Sequence, residues 1–273
     1  MRTILTIWIF TLLACTTSTQ EISEHQNKSD LPDNAAPHQD SITFVEPIEP
    51  TPDSVDFSKY DILLKSGSAD YAAKRREIAQ AIEQLKVLYK NEKIGLDSVR
   101  HFFTENLLNG IIPYWYGTKY DFDGHTAIPG QGEIACGYFV STTLRDMGLN
   151  LDRYKLAQQN PVNEVKTLSL NDSVIALSGD FANEVIAIVK KQFENGIYFI
   201  GLDSGHVGFL LKRKEEVFFI HSNYLSPQEV VIERAIDSEV LLYYTGFHFA
   251  EITANDDLMR KWLGNEELTV IVD

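Results

Sequence analysis

Cysteine is nearly absent from this chain: there are two in 273 residues, Cys15 close to the N-terminus and Cys136 in mid-chain. A disulfide between them would tie the folded part to a targeting segment, so none is expected. Positive charge is scarce as well. Lys and Arg total 24 against 39 Asp and Glu, a formal net charge of -15, with the acidic residues spread along the chain. Nucleic acid and anionic membrane surfaces are thereby excluded as main partners, because counterion release needs Lys and Arg. No apolar run reaches the roughly 20 residues that a spanning helix requires, and no internal repeat is present. What remains is ample for one buried core: 44% apolar residues and 11% aromatics.

The one long apolar run, residues 4–13, follows Arg2 and ends in Leu12-Leu13-Ala14-Cys15. Too short to cross a bilayer, it reads as the apolar region of a signal peptide. Its end resembles the lipobox of bacterial lipoprotein signal peptides, which implies cleavage before Cys15 and lipid attachment to its sulfur. Residues 15–56 then turn to Ser, Thr, Asn, Asp, Glu and Pro, and the Glu-Pro repeats of residues 46–53 exclude a helix or a central strand. The expected plan is a signal peptide over 1–14, a lipidated flexible linker over 15–56 and one domain over 57–273 whose residues 57–110 form a helical extension. The expected location is the bacterial cell envelope, with the choice of membrane open.

Within the domain, Ile78, Ala81, Ile82, Leu85 and Leu88 recur at helical spacing, predicting a helix over 71–90 with Ser68 or Asp70 as N-cap. A second helix is expected over 99–108, capped by Asp97 or Ser98 and stopped by Gly110. Residues 111–131, rich in Gly, Pro, Tyr and Asp, read as a long functional loop. Helices are expected over 135–147, with Gly148 as the stop, and over 181–194. Then the period changes: residues 197–202, 206–212, 217–222 and 230–234 read as short antiparallel strands. Helices followed by strands give an α+β domain, with helices packed on an antiparallel sheet.

Cys136 opens the third of these helices, where unpaired N–H groups and the helix dipole favour a thiolate. Gly137 leaves room beside it for a substrate. His206 and His221 lie near the same end of neighbouring strands, the arrangement of a base and the group that orients it. Upstream, Pro113-Tyr114-Trp115-Tyr116-Gly117 offers a tyrosine hydroxyl for an oxyanion, from Tyr114 or Tyr116, and rings to line a groove. The Asp121-Phe122-Asp123-Gly124-His125 stretch lacks the spacing of a metal loop, so no metal and no cofactor are expected.

The order of Pro-Tyr segment, Cys-Gly-x-Phe-Val, His-Val-Gly and Phe-Ile-His-Ser resembles the NlpC-type murein peptidases, papain-like cysteine enzymes of bacterial cell walls. The resemblance covers residues 113–222. It implies a papain-like fold with Cys136 as nucleophile, His206 as base, His221 as orienting residue and Tyr114 as the family tyrosine, with Tyr116 as its rival. Trp115, Tyr116 and Gly137 would contact substrate. The family's Asp-Cys-Ser-Gly stands here as Ala135-Cys136-Gly137-Tyr138, and the loop before it is longer, which points to a divergent branch. The implied activity is hydrolysis of an amide in peptidoglycan stem peptides by a monomer held at the membrane through Cys15. An acyl hydrolase or transferase on another substrate, or a non-catalytic wall-binding lipoprotein, stands as the alternative.

Overall fold

In the computed structural model, residues 55–65, 68–170, 174–179, 181–203 and 205–272 are described. The signal segment, Cys15 and all but the last two residues of the linker lie outside them. A single compact unit covers Thr51–Asp273. It is α+β: seven α-helices among the described residues, and one six-stranded antiparallel sheet.

Helix α1 is Tyr71–Lys90, over the residues its periodicity predicts, and buries Ile78, Ile82 and Leu85. Its N-cap is Asp70, held in the left-handed region without a side-chain bond. Helix α2, Leu96–Asn106, starts one turn earlier than Asp97 or Ser98 as cap would allow, because Gly95 takes that place. Nor does it stop at Gly110. The chain runs on through a wide π turn, Leu107–Ile111, and a short 3-10 turn, Ile112–Tyr114. The glycine serves packing instead: a Cβ at Gly110 would sit 3.1 Å from Ile78 of α1.

Helix α3 is Cys136–Asp146, with Gly148 in the left-handed conformation just beyond it. Phe139, Val140 and Leu144 of α3 are fully buried, each contributing about 1.5–3 kcal/mol from burial. Two short helices follow, α4 (Arg153–Ala157) and α5 (Pro161–Leu168), capped by Asp152 and Asn160. The remaining elements are β1 (Ile175–Ser178), α6 (Ala182–Gln192), β2 (Gly196–Leu202), β3 (His206–Arg213), β4 (Glu216–Ser222), β5 (Val230–Arg234), β6 (Gly246–Glu251) and α7 (Asp256–Gly264).

The sheet order is β1-β6-β2-β3-β4-β5. Strands β2 to β5 form the expected meander, but β6 inserts between β1 and β2 (Ile175 opposite Phe249, Tyr198 opposite Glu251). Strands β2, β3 and β4 are apolar almost throughout because both faces of the sheet are covered. Val207, Phe209 and Leu211 pack with Phe139 and Val140 of α3 in one core. Leu210, Phe219 and Phe249 pack with Val185 and Val189 of α6 in the other.

The helical extension braces α3 from behind. The Tyr71 hydroxyl donates to Asp146 Oδ2 at 2.6 Å, and Trp115 Nε1 donates to that same hydroxyl at 3.1 Å. Arg145 and Arg75 complete the partners of the buried Asp146 carboxylate, at 2.7 and 3.1 Å. An ionised carboxylate with this many donors holds the last turn of α3 in one register.

Candidate active site

Cys136 is the first residue of α3, and Ala135 before it supplies no side-chain cap. The N–H groups of this first turn are therefore left for other acceptors. Behind the cysteine, Gly137 lets α4 come close: a Cβ there would lie 2.9 Å from the Ala157 carbonyl oxygen. Much of the room the glycine provides is thus taken by the protein. Two further contacts fix the approach to Cys136. Ser222 Oγ of β4 donates to the Ile134 carbonyl at 2.7 Å, and the Ala135 N–H donates to the Gly124 carbonyl at 2.8 Å.

The electrostatics of the thiol differ from the sequence-based expectation. Cys136 keeps part of its surface open, yet burial pushes the thiol up to about 11, against the pull of hydrogen bonds from the amides of Val207, Gly137 and Cys136 itself. Nearby Glu164 pushes it further up. Desolvation outweighs the helix N-terminus, and the resting group at neutral pH is a thiol.

His206 and His221 are buried, and His206 Nε2 lies 2.9 Å from His221 Nδ1. His221 Nε2 lies 3.2 Å from Glu233 Oε1 on β5. Burial holds both imidazoles below the usual histidine range, so both are neutral; the neighbouring His221 lowers His206 further, while Glu233 partly restores His221. The tautomers then follow. The Glu233 carboxylate only accepts, so His221 carries its proton on Nε2 and its Nδ1 is bare. His206 must donate to it from Nε2, which leaves His206 Nδ1 with a free lone pair. That atom is buried and has no hydrogen-bond partner. His206, Val207 and Cys136 line one cavity of about 470 Å³.

The aromatic segment is placed elsewhere. Tyr114, Trp115 and Tyr116 do not line this cavity. The Tyr114 ring packs 5.3 Å from that of Tyr71 with Lys65 Nζ above it at 4.1 Å, and Trp115 is fully buried. Tyr116 borders a different groove beside β5, with its hydroxyl buried and unpartnered. The tyrosines at the cavity are Tyr120 and Tyr138, and Tyr120 is pushed up to about 12 by burial and then by the Cys136 sulfur. The offset of four to six residues has a local cause. Gly117 N–H donates to the Val230 carbonyl and Tyr120 N–H to the Gln228 carbonyl, so the segment pairs with the start of β5 and delivers its later residues to the cavity. Phe122 and Asp123, from the stretch tested as a metal loop, also line it.

No family model, curated protein or solved structure matches this chain.

The chemistry has to be read from the geometry, and Glu233 is the part of it that sequence reasoning missed. Its signal was present in the strand pattern: Val231 lies opposite His221, and Glu233 opposite Phe219 on the same face. Glycine at 208 is a second requirement. A Cβ there would meet Phe219 Cε2 at 2.7 Å, the Ile220 carbonyl at 2.8 Å and His221 Cβ at 2.9 Å. Gly208→Ala is expected to lower stability by about 1–3 kcal/mol through overpacking. Because the displaced atoms include His221, activity should fall more than the folded fraction does. Urea titration beside a turnover assay checks this, and a variant of unchanged midpoint would refute the close packing.

Proposed function

We propose that the chain is a papain-like cysteine hydrolase that cleaves amide bonds in peptidoglycan stem peptides, acting from a lipid anchor on Cys15 in the bacterial envelope. The observation that carries the chemistry is the Glu233–His221–His206 relay, which leaves a bare Nδ1 on a histidine that shares its cavity with Cys136. The order of motifs around Cys136, His206 and His221, similar to that of the NlpC-type peptidases, supports the substrate class.

His206 Nδ1 takes the proton of the Cys136 thiol as the sulfur attacks the substrate carbonyl. Charge on the former carbonyl oxygen is met by the uncapped N–H of Cys136, with the Tyr120 hydroxyl in the role first expected of Tyr114. The protonated His206 then gives its proton to the leaving amine as the C–N bond breaks, which yields a thioester. A water that loses its proton to His206 attacks this thioester, releasing the acid and restoring the thiol. Throughout, His221 and Glu233 hold the tautomer and spread the transient positive charge.

Incubation of the purified chain with sacculi, followed by mass spectrometry of soluble muropeptides, tests the reading. Cleaved stem peptides are expected, and full carbamidomethylation of Cys136 should abolish their release. Release that continues from the alkylated protein sinks the cysteine mechanism. Intact muropeptides beside cleaved acyl esters would move the activity to another acyl substrate.

A further inference from the structure

One group in the cavity wall has no part in that mechanism. Glu164 projects from α5, is only 2% exposed, and has one carboxyl oxygen, Oε2, buried with no partner. It lines the cavity together with Cys136 and His206. A buried polar group is almost always paired, since an unmet one costs about 1–3 kcal/mol. The fold fixes this carboxyl firmly. Helix α5 packs on the sheet so closely that a Cβ at Gly201 of β2 would meet Pro161 at 2.9 Å.

The remaining wall says what would satisfy it. Among the described residues that line the cavity there is no Lys and no Arg; the ionisable acids are Glu164 and Asp123, and His206 is held neutral by burial and by His221. Such a wall repels anions and pairs with cations. We propose that Glu164 is a cation-binding subsite that takes a primary ammonium group on the substrate, close to the carbonyl that Cys136 attacks. This rests on the reading of Cys136 as the nucleophile. An ammonium offers three N–H donors to a carboxylate, which a neutral amide cannot do. Burial raises this carboxyl well above the usual carboxylate range, and an ammonium docked against it favours the ionised form, the carboxyl proton passing to solvent.

The test reads the cavity without turnover, so a chain that hydrolyses nothing still decides it. Three methanethiosulfonates are compared on the full chain at neutral pH: 2-aminoethyl (cationic), 2-sulfonatoethyl (anionic) and methyl (neutral). Each passes its thioalkyl group to the thiol and releases methanesulfinate and a proton. Labelling of Cys136 is followed by peptide mass mapping, and each rate is divided by that with 2-mercaptoethanol. The cationic-to-anionic ratio is expected to be about tenfold or more in the wild type and to fall about fivefold in Glu164→Gln. The neutral reagent reports any change in the thiol's own ionisation that Glu164→Gln brings, which the ratio cancels, and Asp123→Asn should keep most of the preference.

A wild-type ratio near one overturns the proposal, as does a ratio that survives in Glu164→Gln. So does a loss of preference found in Asp123→Asn instead. Should Glu164→Gln fail to fold, competition on the wild type decides. Butylammonium is expected to slow labelling by the cationic reagent, whereas butyltrimethylammonium, which has no N–H donor, is not. Equal protection by both refutes the subsite.

Discussion

Cys136→Ala is expected to lower turnover by a factor on the order of 10⁴–10⁶, to the rate that binding and polarisation alone support. The size of the effect follows from the division of labour in the cavity. The cavity wall is built from α3, α4, α5, the start of β3 and residues 120–123, and removing one sulfur leaves it in place. The covalent path has no substitute, because Cys136 is the only cysteine among the described residues. Substrate affinity should therefore be kept while kcat is lost. Stability should change by no more than about 1 kcal/mol, since the position is partly exposed. Binding of muropeptides by calorimetry, beside turnover, separates the two quantities. A variant that binds and still turns over at wild-type rate would remove Cys136 from the chemistry.

The second large effect belongs to His206→Gln. The amide has similar bulk and still donates to His221 Nδ1, but it accepts no proton. With the thiol at about 11, only about one molecule in 10⁴ carries a thiolate at pH 7. A reaction without a base has to draw on that fraction, so a loss approaching about 10⁴ is expected at neutral pH. The pH profiles should differ in kind. In the wild type the rate stays level through neutrality and falls on the acid side below the usual histidine range, because burial and His221 hold His206 down. In the variant it should climb about tenfold per pH unit toward 11. A wild-type alkaline limb near the ordinary cysteine value would contradict the desolvated thiol.

The same depressed histidines link acid to unfolding. Above the unfolded-state value of about 6.5, His206 and His221 are neutral in both states and contribute no pH dependence. Below it the unfolded chain binds protons that the folded chain refuses, so stability falls as pH drops toward the folded values.

How far the sequence could be read depended on where the information lay. Helix α1 and strands β2 to β5 announce themselves by local period, and their bounds were legible to within a residue or two. The two histidines were legible as neighbours because a short turn after Arg213 fixes the β3–β4 register. Strand β6 was not, since its partners Ile175 and Tyr198 are supplied by distant segments. Helices α4, α5 and α7 are too short for periodicity to speak. Tyr114 was singled out by its motif, with Tyr116 as its rival, while Tyr120 reaches the cavity through backbone pairing with the start of β5. Glu233 and Glu164 carry no motif at all. One acts through cross-strand register and the other through a helix packed on the sheet.

The last stretch of the chain also sets a clock. Trp262 of α7 donates from Nε1 to the Met147 carbonyl at the end of α3, the Leu268 N–H donates to the Asn150 carbonyl, and β6 closes the sheet between β1 and β2. The nucleophile's helix is thus clasped by residues that are synthesised more than a hundred positions after it. A chain still emerging from the ribosome carries α3 before the segment that packs against its far end has been made.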